Sequence, residues 1–192
     1  MRREPRARDD HGMEPAETLS DGEIQLRRWR RRDADTLHRV VGDSLDHLKP
    51  FMPWAVEGYG KADAADFLRL SREEWRQGKA FSYAILDADG EVAGSCGLMR
   101  RIGEGGLEIG YWLARTHTGR GIATRAARLL TDEAFRIGAS HVEIHHDPAN
   151  VRSGLVPARL GYTRTGTVEA TKPSGTEGTG KLVVWRTGVS DR

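Results

Sequence analysis

A glycine-rich loop between a strand and a helix is the first place where the sequence indicates chemistry. Residues 118–121 read Thr-Gly-Arg-Gly, directly after an alternating run at 107–113 and before an amphipathic run that ends at Gly138. The N–H groups of such a loop and of the first helical turn lack backbone acceptors, and the positive end of the helix dipole points the same way. The loop is therefore a candidate anion-binding site. A tight turn that serves only packing is the alternative.

Two common phosphate-binding patterns fit this loop poorly. A dinucleotide fingerprint, G-x-G-x-x-G, needs glycine or alanine at its third position, where Thr124 stands, and it also needs an acidic residue about twenty positions further on. A P-loop needs Gly-Lys followed by Ser or Thr, and no lysine is near. The sequence thus argues against a Rossmann site and against a P-loop.

Two adjacent histidines are the next residues that could do chemistry. His145 and His146 lie in a predicted strand, so their side chains point to opposite faces and cannot hold one metal ion together. No third ligand follows at a suitable spacing, and we therefore predict no metal site. His146, at the end of the strand, could act as an acid or a base.

The segment at 47–55 carries large apolar side chains between two prolines. Pro50 and Pro53 make a rigid connection, and Phe51 and Trp54 lie within or beside it. Aromatic loops that a rigid scaffold positions often line binding sites. The segment either caps the core or forms one wall of a pocket.

Periodicity predicts an α+β protein in which these groups are brought together. The predicted strands are 23–29, 81–86, 91–99, 107–113, 141–146, 162–170 and 181–186. One predicted helix begins near Asp33, and three others cover 62–77, 122–137 and 150–160. The strands at 107–113 and 141–146 flank a helix, which makes a right-handed βαβ unit with parallel strands.

Length and composition limit the class of protein. The 192 residues suffice for one domain with a substantial core, and we predict a flexible tail at 1–21, a single domain at 22–188 and a short tail at 189–192. Thirty basic and twenty-eight acidic residues give a net charge of +2, which argues against nucleic acid as a partner. The single Cys96 rules out an intrachain disulfide and fits a reducing cytoplasm. Without an eighteen-residue apolar run, no membrane span is expected.

The order of elements and three local motifs together resemble the GNAT family of acetyl-coenzyme A-dependent N-acetyltransferases. The motifs lie at 47–54, at 108–113 running into 118–121, and at 150–153 followed by 160–162. They are similar to the RimJ/RimL type, the ribosomal-protein N-terminal acetyltransferases and their relatives that act on small molecules. The resemblance covers about residues 23 to 187. It implies a three-layer fold with a mixed, mostly antiparallel sheet of six to seven strands, helices on both faces, and a splay between the parallel fourth and fifth predicted strands.

The resemblance implies that acetyl-coenzyme A (acetyl-CoA) is the cofactor. The loop at 118–123 would hold the pyrophosphate, in agreement with its anion-binding character, and the backbone where the two parallel strands splay would pair with the pantetheine arm. The implied cofactor-binding residues are Leu113, Ala114, Thr118, Gly119, Arg120, Gly121, Ile122, Ala123, Asn150 and Ser153.

The resemblance also implies two catalytic residues, Glu108 and Ser153. An amine must be neutral to attack a thioester, and Glu108 would serve as its base; a glutamate on the solvent side of a strand is the alternative. Many relatives place a proton-donating tyrosine seven residues after the asparagine, where this chain has Pro157. Ser153 is then the implied partner of the leaving thiolate, and a helix cap is the alternative for Ser153 and for Asn150. Pro157 suggests that this helix begins near Gly154.

The acceptor is the part of the reaction that the sequence leaves open. Phe51, Trp54, Tyr83 and Glu108 are the expected substrate-binding residues. The amine could belong to a peptide N-terminus or to a small molecule such as an antibiotic, and attack would be direct, because nothing activates Cys96 as a nucleophile. A coenzyme A-binding module without turnover is the alternative function. A homodimer is an open alternative for the assembly.

Overall fold

A mixed β-sheet runs through the whole fold. In the computed structural model, which describes residues 13–172 and 174–189, the strands are β1 (Thr18–Ser20), β2 (Gln25–Arg28), β3 (Ala80–Leu86), β4 (Val92–Met99), β5 (Gly106–Leu113), β6 (His141–His146), β7 (Thr163–Glu169) and β8 (Lys181–Gly188). Their order across the sheet is β1-β2-β3-β4-β5-β6-β8-β7. Neighbouring strands are antiparallel, except that β5 and β6 are parallel. The predicted class is confirmed, with eight strands among the described residues where six to seven were predicted.

Helices cover both faces of this sheet and make the three layers. They are α1 (Ala34–Gly42), α2 (Leu45–Leu48), α3 (Lys61–Arg76), α4 (Ile122–Arg136) and α5 (Val151–Arg159). One core lies between the sheet and α4 with α5, and a second lies between the sheet and α1, α2 and α3. We refer to these sides as the α4 face and the α1 face. No helix in the described part of the chain is long and apolar enough to cross a membrane.

The pattern in α4 and β5 explains why these elements form and how they pack. Ala126, Leu130 and Ala134 recur every four residues, so they form one stripe of α4 and are fully buried against the sheet. On β5, alternate residues such as Leu107 and Ile109 point into the same core. Burial of a side chain such as Leu130 stabilises the fold by roughly 1.5–3 kcal/mol. The other residues of β5 therefore face α1 and α3.

The two parallel strands pair over only part of their length. Their register runs from Gly106 opposite His141 to Ile109 opposite Ile144. Beyond that point β5 continues to Leu113 beside β4, while β6 continues beside β8. Because each strand follows its other neighbour, an unpaired gap opens between β5 and β6 above Ile109. We call this gap the splay.

The first described residues join the domain rather than forming part of a tail. β1 lies inside the predicted tail at 1–21 but pairs with β2, and the Ala16 N–H donates to Glu133 Oε1 at 2.6 Å. The prediction was wrong for this segment, because a three-residue strand shows no periodicity and its partners are distant in sequence. Residues 1–12 and 190–192 lie outside the described residues, so the rest of both predicted tails stays a prediction.

Tyr83 was predicted to bind substrate, and the structure places it in the core instead. Its side chain points to the α4 face, is fully buried, and packs on the ring of Trp75 with ring centroids 5.2 Å apart. Its hydroxyl donates to the carbonyl oxygen of Ala16 at 2.8 Å. Burial raises the pKa of Tyr83 far above its ordinary value. The residue therefore anchors the segment before β1.

Tyr83→Phe should lower the free energy of unfolding by about 1 kcal/mol, because the Ala16 carbonyl loses a hydrogen-bond donor. The Michaelis constant for any acceptor amine should not change. Chemical denaturation and steady-state kinetics measure the two quantities. A raised Michaelis constant at unchanged stability would contradict the structural role.

Candidate active site

A cavity of about 670 Å³ lies between the α1 face and the helices that cover it, and it reaches into the splay. This volume suits a drug-sized ligand. One wall comes from α1, α3 and residues 52–54, and the floor comes from β3, β4 and β5. At its far end the cavity is lined by Tyr111, His145, Asn150 and Ser153. The cavity thus connects a mouth under α3 with the gap between the two parallel strands.

Aromatic rings line the mouth of this cavity. The ring centroids of Trp54 and Trp112 are 5.6 Å apart, and those of Trp54 and Tyr59 are 6.2 Å apart. Trp54, predicted to bind substrate, is 39% exposed and lines the cavity. Phe51, predicted with it, is half-buried and is not among the lining residues. The segment at 50–55 therefore forms a wall of the cavity through Trp54 and not through Phe51.

A loop at 174–180, which precedes β8, closes one end of the cavity. Thr176 N–H donates to Lys49 O and Glu177 N–H donates to Pro50 O, both at 3.0 Å. Gly175 has φ of +105°, and a Cβ there would lie 2.5 Å from the same two carbonyl oxygens. From the other side, the buried Asp147 accepts the Thr179 N–H at 2.7 Å. The loop is therefore fixed against the turn after α2, and only glycine fits at position 175.

Glu108 lies on the floor of the cavity within a cluster of charges. It is only 6% exposed, which excludes the solvent-facing alternative. Both carboxylate oxygens accept hydrogen bonds from Arg101, at 2.7 Å from Nε and 2.5 Å from Nη2. The bidentate pair fixes the carboxylate in place, and each of its oxygens keeps a lone pair for a second donor. The geometry therefore favours binding of a cation by Glu108 over its predicted role as the base.

A second buried carboxylate lies directly beside Glu108 on the neighbouring strand. Glu143 is opposite Glu108 in the β5–β6 register and accepts hydrogen bonds from Arg186 and from His145 Nε2, the latter at 2.6 Å. Burial raises the pKa of Glu143, but the hydrogen bonds from His145 and Arg186 outweigh it and hold that pKa below its ordinary value. His145 thus points to the α1 face with its Nδ1 3.9 Å from Glu108 Oε2.

The edge of β5 in the splay offers backbone groups to a pantetheine arm, and the two predicted residues there differ in how many of these groups are already paired. The Ala114 N–H donates to Ala93 O at 2.8 Å, and the Ala114 carbonyl accepts from His117 N at 2.9 Å. The Ala114 N–H is therefore already paired, but its carbonyl oxygen keeps one lone pair, so the predicted contact of Ala114 with the pantetheine arm stays a prediction. Because successive residues of a strand point their amides to opposite edges, Leu113 faces the splay.

The glycine loop has the geometry of an anion site. Gly119 and Gly121 both have φ of +76°, and Gly121 is the N-cap of α4. Within the described part of the chain, the N–H groups of residues 119–124 meet no acceptor. Thr118 Oγ1 donates to Arg115 O at 3.0 Å, and the exposed Arg120 forms no ion pair with any described residue. These free donors suit a pyrophosphate.

The first turn of α5 lies earlier in the chain than the sequence predicted. α5 begins at Val151, not near Gly154, and Asn150 Oδ1 caps it by accepting the Ser153 N–H at 3.2 Å. The helix-cap alternative for Asn150 is thus what the structure shows. Pro157 lies inside the helix and has no N–H for the Ser153 carbonyl. That carbonyl needs another donor.

Tyr111 supplies the missing donor, and the sequence did not predict its role. Its hydroxyl donates to Ser153 O at 3.0 Å and accepts from Ser153 Oγ at 3.3 Å. Burial raises the pKa of Tyr111 well above its ordinary value, so the phenol stays protonated. Pro157 is the signal in the sequence that could have indicated this contact, because a proline in a helix leaves the carbonyl four residues earlier unpaired. Two hydroxyl groups therefore lie together beside the splay.

Other nucleophiles and ligands contribute little to this site. Burial raises the pKa of the Cys96 thiol far above its ordinary value, so the thiol is not activated. Among the described residues, no three His, Cys, Asp or Glu side chains are placed to hold a metal ion. His146, considered as an acid or base, donates from Nδ1 to the Asp147 carbonyl oxygen at 2.8 Å, and its ring stacks on Trp185.

Comparisons with known proteins agree with this arrangement. A family model described as the acetyltransferase (GNAT) domain matches residues 23–163. The N-acetyltransferase p20 of Bacillus licheniformis, itself uncharacterised, is 29% identical over 158 residues, which are 78% of this chain and 84% of p20. The chain therefore belongs to the GNAT family. It is an acetyl-CoA-dependent N-acetyltransferase, as the resemblance implied.

Two solved structures share the fold. RimJ of Mycobacterium smegmatis, in complex with a CoA disulfide, has a TM-score of 0.79 and 24% identity, with coverage of 92% of this chain and 88% of RimJ. The microcin C7 self-immunity acetyltransferase MccE, in complex with acetyl-CoA and AMP, has a TM-score of 0.80 and 21% identity, with coverage of 88% and 94%. The resemblance to the RimJ/RimL type is confirmed at the level of the fold.

Tyr111→Phe should destabilise the protein by about 1–3 kcal/mol, because it leaves the Ser153 carbonyl without a donor. In a Pro157→Ala background the same change should cost about 1 kcal/mol less, since the N–H of the new alanine can take that carbonyl. Chemical denaturation of the four proteins gives this double-mutant cycle. Equal costs in both backgrounds would show that Pro157 does not determine the contact.

Proposed function

We propose that this chain transfers the acetyl group of acetyl-CoA to a primary amine that enters from the α1 face and attacks the thioester directly. The observation that supports this most strongly is the path of the cavity, which runs from the aromatic mouth to the splay. A thioester held in the splay would meet an amine at the level of Ile109 and His145, where the strands part. Donor and acceptor thus approach the reaction centre from different sides of the sheet.

The cofactor would lie along the α4 side of the splay. Its pyrophosphate would accept hydrogen bonds from the N–H groups of residues 119–123, and its pantetheine amides would pair with β5 at Leu113. Asn150 contributes indirectly, because its cap fixes the first turn of α5.

The leaving thiolate would be received by Ser153. Its hydroxyl lies at the end of the cavity and can turn from the Tyr111 oxygen to a sulfur in the splay. Tyr111 holds Ser153 through the carbonyl that Pro157 leaves open. Together the two hydroxyl groups would take over the function of the tyrosine that many relatives place at the position of Pro157.

The acceptor would be an amine attached to an apolar or aromatic group. Trp54, Tyr59 and Trp112 can surround such a group, and an ammonium gains from contact with their faces. MccE is a self-immunity acetyltransferase against microcin C7, and the RimJ/RimL type acts on ribosomal proteins, so small-molecule and peptide amines both belong in the test. We place the reaction in the cytoplasm.

Incubation with acetyl-CoA and a mixed library of peptides and amine-bearing antibiotics should release free CoA thiol with at least one class of amine. A thiol-reactive dye follows the release, and mass spectrometry identifies the acetylated amine. Thermal stabilisation by acetyl-CoA without thiol release from any amine would instead support a binding module without turnover.

Trp54→Ala should raise the Michaelis constant for the best amine about tenfold, because a buried aromatic contact contributes about 1.4 kcal/mol or more to binding. Phe51→Ala is the matched control and should leave that constant unchanged. Neither change should alter the dissociation constant of acetyl-CoA, measured by calorimetry. Equal effects of the two changes would show that the cavity mouth does not bind the acceptor.

A further inference from the structure

We propose that His145 takes the proton from the acceptor ammonium while Glu108 holds that ammonium in place. The inference rests on the proposed acetyl transfer to an amine, and it replaces Glu108 as the base. It comes from the positions of the two side chains on the cavity floor.

His145 stands where the thioester would be attacked. It is the first residue of β6 beyond the last pair with β5, Ile109 with Ile144, and its side chain is 16% exposed and lines the cavity. Because β6 continues beside β8, the backbone of His145 is fixed opposite Val184. The imidazole is therefore held rigidly at the fork of the splay, on the side from which the amine arrives.

The partner of His145 determines which ring nitrogen can accept a proton. Nε2 lies 2.6 Å from Glu143 Oε2, and an ionised carboxylate can only accept a hydrogen bond. Nε2 therefore carries the hydrogen, and in the neutral ring Nδ1 has the free lone pair. Glu143 is in turn held by Arg186. This pair of residues orients the ring and stabilises the imidazolium that forms.

Glu108 completes a binding site for the ammonium. Each of its oxygens accepts one hydrogen bond from Arg101 and keeps a further lone pair. The distance from Glu108 Oε2 to His145 Nδ1 is 3.9 Å. An ammonium nitrogen about 2.9 Å from each atom can bridge this gap with two of its hydrogens.

The charges around His145 balance when the ring is neutral. Glu143 on its own strand and Glu108 on β5 face it, Arg186 reaches in from β8, and Arg101 approaches from the turn before β5. Glu74 on α3 attracts Arg101 from outside the cluster. Two guanidinium groups thus neutralise two carboxylates. The cluster therefore gains a single positive charge when His145 takes the proton from the ammonium.

The proton balance of the reaction is simple. The ammonium gives one proton to Nδ1, and the neutral amine then forms a bond to the thioester carbonyl carbon. The amine nitrogen loses a second proton as the amide forms, the carbon–sulfur bond breaks, and the thiolate takes up one proton beside Ser153. His145 returns its proton to solvent, so each turnover releases one proton.

His145→Gln tests the inference, and His141→Gln is the matched control, because His141 lies on the same face of the same strand at its other end. For wild-type protein and control, kcat/KM for the best amine should fall at low pH, because a ring that already carries a proton on Nδ1 cannot take one from the ammonium. In His145→Gln, kcat/KM should drop about 100-fold at neutral pH and recover only as the amine itself deprotonates. The dissociation constant of acetyl-CoA should stay the same.

A second measurement does not depend on turnover. Nitrogen-15 NMR of histidine-labelled full-length protein, with the His145 signals assigned from the His145→Gln spectrum, should show that the neutral ring carries its proton on Nε2 and none on Nδ1. A proton on Nδ1, or an unchanged pH profile in His145→Gln, would overturn the inference while the proposed function stands. Absence of turnover by the wild-type protein with every amine would instead remove the proposed function, and the inference with it.

Discussion

The parting of β5 and β6 is the constraint on which the rest of the site depends. The two strands are hydrogen-bonded as far as Ile109 and Ile144, and then each follows its antiparallel neighbour, β4 or β8. Unpaired backbone in the middle of a sheet is costly unless another group satisfies it. The open edge at Leu113 therefore calls for a ligand with amides of its own, and the glycine loop at the end of the same strand offers free donors to that ligand's phosphates.

The splay also lies between two groups of polar side chains on opposite faces of the sheet. On the α1 face, Glu108, Glu143 and His145 come from two neighbouring strands and form one cluster, since residues in register on adjacent strands share a face. On the α4 face, Tyr111 and Ser153 lie together at the start of α5. An amine and a leaving thiolate would thus be handled on opposite sides of one sheet, with the thioester between them.

Pro157 shows how one local defect can be compensated by a distant residue. A proline inside a helix removes one backbone hydrogen bond, and here the free carbonyl belongs to Ser153. The Tyr111 hydroxyl takes it and is thereby placed beside the Ser153 hydroxyl. Pro157 stands where many relatives have a proton-donating tyrosine. By leaving the Ser153 carbonyl free, it also places the Tyr111 hydroxyl beside the Ser153 hydroxyl.

The local elements and the family of the protein could be predicted from the amino-acid sequence. The alternation in β5, the stripe on α4 and the Thr-Gly-Arg-Gly turn depend on neighbours within a few residues, and so the strand, the loop and the helix could be predicted closely. The surroundings of each alternating side chain depend instead on how the elements pack. The alternation in a strand predicts which residues share a face of the sheet with Glu108 or with Tyr83. It does not predict which layer of helices covers that face. Several contacts could not be predicted because they depend on the packing of elements, which leaves no periodic signal in the sequence. They are the ion pair of Arg101 with Glu108, the hydrogen bond of Tyr111 with Ser153 and the pairing of β1 with β2.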